Sequence, residues 1–119
     1  MSVDLLPKKY DLPSIVQGDT YPAVNFSATG TTSALTRVRV KFKDSAGTLG
    51  LTLDSDSTGM TINDATAGAW DYDIDAISAA TTAGLTADVY EYGIETTDAA
   101  GTVATHFQGT WEICEQFTD

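Results

Sequence analysis

The sequence has little of several residue types on which common kinds of functional site depend. In 119 residues it has one cysteine, one histidine, three prolines and six Lys or Arg, against seventeen Asp or Glu. The single cysteine, Cys114, excludes an intramolecular disulfide and a zinc site of the Cys/His type. We interpret Cys114 as a small core residue, because a catalytic thiol needs a basic partner and the only histidine is His106.

The shortage of cations leaves a formal net charge of −11. A field of that sign repels phosphate, so DNA and RNA are not expected as the main partner. No run approaches the length of apolar sequence that spans a bilayer, and the first residues lack the apolar region of a secretory signal. We therefore expect neither a membrane segment nor an export signal.

Short alternating runs of apolar and polar residues, separated by turn signals, make up most of the chain. The length is that of one domain, and this spacing is typical of a sandwich or barrel. The pattern predicts an all-β fold, an antiparallel immunoglobulin-like β-sandwich of about seven or eight strands, with at most one short helical turn in the Ala/Thr-rich stretch 77–83. The predicted strands are 10–17, 20–27, 36–43, 49–53, 60–63, 69–75, 88–96 and 103–114.

Three turns carry a recognisable chemistry. "DSAGT" at 44–48 and "DAAGT" at 98–102 are near copies, in which Asp can accept from the turn backbone and Gly can take a positive φ. "QGDT" at 17–20 predicts a two-residue hairpin between the first two strands, with Gly18 and Asp19 at its tip.

Four of the six cations alternate with apolar residues in "TRVRVKFK", residues 36–43. Side chains in a strand alternate between faces, so the cations form an outward row over inward Val38, Val40 and Phe42. Two other strands, 70–75 and 89–95, present outward carboxylates in the same way. We predict a cross-strand charged ladder, and the alternative is a charged patch that binds another protein. The ladder residues are Arg37, Arg39, Lys41, Lys43, Asp71, Asp73 and Asp75, together with Glu91 and Glu95.

Nothing in the sequence assembles a catalytic constellation. "DSDSTG" at 54–59 begins like a calcium loop, but Ala65 stands where the chelating Glu is needed, so a polar hairpin tip is expected and a weak calcium site at Asp54 and Asp56 is the alternative. Three Asp on the outside of one strand do not form the cleft that glycoside cleavage requires. His106 is interpreted as a strand histidine bonded to a neighbour. We expect no enzyme activity and no cofactor.

The first nine residues differ from the rest. An apolar cluster is followed by Pro7 and two lysines, without a clear strand partner, so the chain divides into an arm, 1–9, and a β-sandwich, 10–119. The arm is either a frayed terminus or a segment that packs on a neighbouring subunit. In the second case the interface residues are Val3, Leu5, Leu6, Lys8 and Lys9.

The stretch "YDLPSIVQGDTYPAVNFS" (10–27) resembles the opening of immunoglobulin-like structural modules of tailed bacteriophages, similar to the N-terminal domain of baseplate upper proteins. The later half, 85–118, fits the same pattern, except that Asp88 stands where the pattern has Gly. The matching positions are Tyr90, Tyr92, Ile94, Gly101, Thr105, Gly109 and Thr118.

The resemblance implies a non-enzymatic virion protein of the tail, baseplate or neck, made in the host bacterial cytoplasm. It implies partners among other virion proteins and copies of itself, without nucleic acid or membrane. The alternatives are a capsid decoration protein and a module that binds carbohydrate on the host surface. A carbohydrate module needs solvent-facing aromatic residues, for which Tyr10 and Tyr21 are the candidates because the other aromatic residues are expected in the core.

Overall fold

The structure, a computed structural model, describes residues 8–116. These residues form nine strands and one short helix in the following order: β1 (Lys8–Lys9), β2 (Leu12–Val16), β3 (Val24–Thr29), β4 (Leu35–Lys43), β5 (Leu49–Asp54), β6 (Met60–Asp64), β7 (Ala69–Ile74), α1 (Ala79–Ala83), β8 (Asp88–Asp98) and β9 (Val103–Cys114). All eight strands predicted from the sequence are present, and the additional one is the two-residue β1. The helix lies within the stretch predicted to be helical, and no helix in the described part of the chain is long and apolar enough to cross a membrane.

The strands form two sheets that pack face to face. The large sheet has the order β1-β9-β8-β4-β5, with β2 also pairing β9, and the small sheet has the order β3-β7-β6. Within the described residues every pair is antiparallel except those of β1 and β2 with β9, which are parallel. The strands following one another in the chain repeatedly change sheets, as in immunoglobulin domains. The predicted all-β immunoglobulin-like sandwich is confirmed.

The core lies between the two sheets and follows the alternation of the sequence. Val38, Val40 and Phe42 of β4 are fully buried, and the inward residues of β7 and β8 are almost fully buried. Aromatic rings fill the centre, where Trp111 packs against Phe42 with ring centroids 4.9 Å apart. Burying a large apolar side chain contributes roughly 1.5–3 kcal/mol before entropy is subtracted, so this core holds the sandwich together without a disulfide. Cys114 is partly buried at the end of β9.

The connection between β7 and β8 closes one end of the sandwich. Ser78 caps α1 by accepting from the Thr81 amide, and the buried Thr82 hydroxyl donates to the carbonyl of Asp19 at 2.7 Å. At the start of β8, the Tyr90 hydroxyl donates to the Thr86 carbonyl at 2.7 Å. This local bond is the tyrosine corner that immunoglobulin-like folds place at the same connection.

The two near-copied turns have the same structure, as predicted. The Asp44 carboxylate accepts from the amides two and four residues later, and the Asp98 carboxylate does the same. The glycine of each turn has a positive φ, 84° at Gly47 and 82° at Gly101. Each turn therefore satisfies its own backbone, which explains why one short sequence serves at two hairpins.

The hairpin predicted at Gly18 and Asp19 is wrong. The turn exists, since Gly18 has a φ of 86° and the Asp19 amide donates to the Val16 carbonyl at 3.1 Å. However, β2 belongs to the large sheet and β3 to the small sheet, so this turn carries the chain between sheets. The residues of a turn predict that the chain reverses direction, but they do not determine which strand pairs with the strand before the turn.

The N-terminal boundary lies earlier than predicted. Lys8 and Lys9 form β1 and pair with Phe107 and Gln108 of β9, so this part of the predicted arm belongs to the large sheet. Between β1 and β2 the Tyr10 carbonyl crosses Gly109 so closely that a Cβ at Gly109 would lie 2.1 Å from its oxygen. The remaining interface candidates, Val3, Leu5 and Leu6, lie outside the described residues.

Candidate functional site

The positive charge of the molecule is confined to the large sheet. Lys8 and Lys9 lie on β1 and the other four cations on β4, which accounts for all six Lys and Arg of the chain. The strands of the small sheet contain no Lys or Arg. In a chain with a net charge of −11, the outer face of the large sheet is therefore the place where an acidic group can be bound.

Part of this charge is neutralised across strands. Arg39 lies opposite Glu95 of β8, and its Nη2 donates to Glu95 Oε1 at 2.8 Å. The prediction that 36–43 lies beside one of the acidic strands is confirmed, and that strand is 89–95. On the other side of β4, Arg37 donates to both carboxylate oxygens of Asp54, the last residue of β5. This bidentate hydrogen bond is the main reason why the pKa of Asp54 lies below its usual value.

The predicted inclusion of Asp71, Asp73 and Asp75 in the ladder is wrong. Asp71 and Asp73 lie on β7 and Asp75 follows it, so all three lie at the small sheet rather than beside β4. Alternation reveals which residues of one strand share a face, but it carries no information on which strand is the neighbour. The three carboxylates instead accept from side chains of β3 and β6, namely Asn25, Asn63 and Thr61.

The middle of the basic strand borders a groove. Lys41 lies opposite Gly93 of β8, which has no side chain, and a shallow groove of about 320 Å³ opens there. Its lining residues are Arg39, Lys41, Lys43, Glu91, Tyr92, Gly93, Glu95, Thr105 and Gln108. A second depression of about 260 Å³ shares Glu91, Tyr92 and Gln108 with the first and extends to Lys9 and Thr110.

The groove retains positive charge that the fold does not use. Within residues 8–116, Lys9, Lys41 and Lys43 make no ion pair, whereas Arg37 and Arg39 do. Lys41 and Lys43 are exposed. We call Arg39, Lys41 and Lys43, which alternate along β4, the basic row. With Arg39 paired to Glu95, the two lysines carry the charge available to a partner.

The loop that resembles a calcium site serves another purpose. Asp54 is bonded to Arg37, and Asp56 lies 3.5 Å from the Nε of the same guanidinium. The described residues contain no group of three or more metal-ligating side chains. The loop also joins β5 of the large sheet to β6 of the small one, so it is a crossing rather than the expected hairpin tip. Arg37 therefore already occupies the Asp54 carboxylate that a calcium ion would need.

His106 is bonded to a neighbour, as predicted. Its Nδ1 lies 2.6 Å from the hydroxyl of Tyr72 of the opposite sheet, at a bulge of β9 that turns the ring towards the core. Burial, with a smaller contribution from the charge of Lys8, lowers the pKa of His106 to about 4. A neutral imidazole at the seam between the two sheets has a structural role.

The two aromatic candidates for a carbohydrate platform do not lie together on the surface. Tyr21 is 3 % exposed, and its hydroxyl donates to the Pro13 carbonyl at 2.8 Å. Burial raises its pKa to about 12. Tyr10 is 41 % exposed, but its ring packs edge-on against Phe26. The prediction of Tyr21 as a surface residue is wrong, because the chain crosses between the sheets at that point and takes the ring inwards.

The groove itself was not predicted from the sequence. A signal was present, since Gly93 and Gly109 interrupt otherwise regular strands, and glycine within a strand often marks a close approach or an opening. Gly109 accommodates the Tyr10 carbonyl, whereas a Cβ at Gly93 would meet nothing closer than 3.8 Å. Only the strand pairing shows that Gly93 lies beside Lys41.

Comparison with known proteins gives similarity to solved structures alone. No family model matches the chain, and no curated protein matches it. Among solved structures, it is similar to a family 123 glycoside hydrolase from Clostridium perfringens, with 11 % identity over 94 % of this chain and a TM-score of 0.47. The chain spans 24 % of that hydrolase.

Two smaller proteins are similar along almost their whole length. CopC from Methylosinus trichosporium OB3b has 9 % identity over 85 % of this chain and 99 % of its own, with a TM-score of 0.41. The V domain of amphioxus IgVJ-C2 has 13 % identity over 86 % and 99 % of the two chains, with a TM-score of 0.31. These similarities concern the β fold and carry no conclusion about activity.

Proposed function

We propose that this protein is a non-enzymatic structural protein that acts through protein–protein contacts made by the outer face of the large sheet. The observation that carries the proposal is the exposed pair Lys41 and Lys43 beside the groove at Gly93, without an ion pair in residues 8–116. Ion pairs within the chain neutralise Arg37 and Arg39, whereas the two lysines remain available to carboxylates of a partner.

The particle in which the protein acts is proposed from the sequence resemblance. Residues 10–27 and 85–118 resemble immunoglobulin-like modules of tailed bacteriophages, so we place the protein in a virion, in the tail, baseplate or neck. In the structure the first segment supplies β2 and the second supplies β9, and these two strands pair with each other. A capsid decoration protein would use the same kind of contact and differs only in its position on the particle.

The first experiment asks whether the protein is part of a particle. Purified particles of the phage that encodes it are analysed by mass spectrometry, and the copy number is obtained against a labelled standard. We expect stoichiometric copies that persist through a density gradient. Absence of the protein from intact particles would overturn the virion proposal.

The second experiment tests the surface. Lys41→Glu changes the charge by the same amount as the control variant Ala67→Asp with Ala100→Asp, whose two positions are exposed and lie outside the groove. We expect Lys41→Glu to lower incorporation into particles, or binding to isolated virion proteins, while the control is incorporated normally. Equal incorporation of the two variants, each with an unchanged melting temperature, would show that the groove is not the contact surface.

A further inference from the structure

The small sheet presents the electrostatic opposite of the basic row. Asp71, Asp73 and Asp75 alternate along β7 and its extension, and they lie on the outer face because Trp70, Tyr72 and Ile74 face the core. We call these three carboxylates the acidic row. The two rows lie on opposite outer faces of the sandwich, since one belongs to each sheet.

The carboxylates of the acidic row are held in fixed positions. The Asn25 amide donates to Asp71 and to Asp73, at 2.7 Å in both cases, and the Thr61 hydroxyl donates to Asp75 at 2.7 Å. Hydrogen bonds from Asn63 and then from Asn25 lower the pKa of Asp71, so it is ionised near neutral pH. Donors that are themselves neutral leave the negative charge of the row uncompensated.

The rows match in spacing. Each has charged side chains at every second residue of an extended strand, which places successive charges about 7 Å apart. Because Arg39 is paired with Glu95, Lys41 and Lys43 are the charges of the basic row that can face the carboxylates of another copy. We propose that copies of this protein stack face to face, with the basic row of one copy against the acidic row of the next. This inference deepens the proposed function by naming a second copy as a partner, and it rests on that function.

The contact joins two different faces, so one copy keeps its acidic row free and the other keeps its basic row free. Such a heterologous contact repeats from copy to copy, and it produces a ring if the rotation closes or a stack if it does not. A self-complementary dimer does not follow from this arrangement, because two basic rows or two acidic rows repel each other. The distribution of charge between the two sheets therefore determines the direction in which copies assemble.

The size of the faces sets the strength of the contact. The small sheet is three strands wide and about six residues long, which gives roughly 300 Å² of face at the usual strand spacings. This is well below the roughly 800 Å² per partner of a standard interface. Stacking is thus weak between free molecules and becomes effective where a particle holds neighbouring copies side by side.

A cross-linking experiment detects so weak a contact. Thr52→Cys lies on β5 opposite Lys41, and Ser27→Cys lies on β3 opposite Asp71, so each places a thiol beside one row without removing a charge. Both positions are exposed. The two variants are made in a Cys114→Ala background, mixed at physiological salt and treated with a short bismaleimide, which adds to one thiol of each chain and links them through two thioether bonds.

We expect the mixed product to form about tenfold faster than the product of two Thr52→Cys chains, the difference produced by a modest contact energy. Lys41→Glu in the Thr52→Cys chain should remove this excess, and Asp73→Lys in the Ser27→Cys chain should restore it. Melting temperatures confirm that each variant is folded. A merely structural effect of the two substitutions would not restore cross-linking when Lys41→Glu is combined with Asp73→Lys.

Failure of the stacking proposal can be told apart from failure of the proposed function. If the mixed product has no excess, or if Lys41→Glu leaves the excess unchanged, the rows do not meet and the stacking proposal is overturned. If Lys41→Glu nevertheless lowers incorporation into particles, the basic row binds a different virion protein and the proposed function is retained.

Discussion

The hydrogen-bonded pair of His106 and Tyr72 predicts how stability depends on pH. The pKa of His106 falls from its ordinary value of 6.5 to about 4 in the folded protein, mainly because the ring is buried. Between these two values the unfolded chain binds a proton that the folded chain does not. The free energy of unfolding is therefore highest above pH 6.5 and decreases as the pH falls towards 4, below which His106 adds no further slope.

The size of the effect follows from the shift. Each pKa unit corresponds to about 1.4 kcal/mol, so the complete shift would give somewhat more than 3 kcal/mol. The ring is only partly buried, and solvent screens its charge, so we expect on the order of 1–3 kcal/mol. Carboxylates such as Asp54, whose pKa is lowered by Arg37, destabilise the fold at lower pH, chiefly below 3.8, so the two effects occupy different windows.

Urea denaturation at a series of pH values from 3 to 8 measures the effect, with His106→Asn as the matched variant. The difference between the two proteins isolates the histidine, because the carboxylates titrate in both. Tyr72→Phe should keep most of the change in the free energy of unfolding between pH 6.5 and 4. The reason is that burial, rather than the Tyr72 hydroxyl, is the main cause of the lowered pKa of His106. If the free energies of unfolding of wild type and His106→Asn change in parallel between pH 6.5 and 4, the reasoning is refuted.

Three further predictions concern stability. Gly109→Ala should destabilise by about 1–3 kcal/mol or more, because its Cβ would meet a backbone carbonyl at 2.1 Å, while Gly93→Ala on the adjacent strand should be nearly neutral in the same thermal melts. Arg39→Glu should cost about 0.2–1 kcal/mol, and Glu95→Arg in the same chain should recover it; simple additivity would show that the pair contributes nothing. Asp98→Ala should cost about 1 kcal/mol by removing the acceptor of two turn amides, and an unchanged denaturation midpoint would contradict that role.

The sequence predicted what is local in this fold. Alternation in 36–43 and 70–75 identified the buried residues of β4 and β7 because the side-chain period of a strand is fixed by backbone geometry. The twin turns were predicted because an Asp carboxylate and a positive φ at Gly complete them without help from the rest of the chain.

What could not be predicted depends on pairing between distant strands. The carboxylates of 70–75 and of 89–95 are equivalent as patterns, yet only the second set lies beside β4. The groove at Gly93 depends on the same pairing, because a glycine opens the surface only where its neighbours across the sheet are known. The burial of Tyr21 follows from a crossing between sheets, which the turn signal at 17–20 does not distinguish from a hairpin.

The parallel pairing of β2 with β9 has a consequence for the order of folding. The Thr110 amide donates to the carboxylate of Asp11, a residue 99 positions earlier in the chain. During synthesis at about 5–20 residues per second, an early strand with such a partner waits roughly 5–20 s before the partner has been made. Contacts of this span also slow the refolding of a complete chain, because loop closure must precede them. We therefore expect the small sheet and the β4–β8 pair to form before β2 pairs with β9, which makes the docking of β2 the final step of folding.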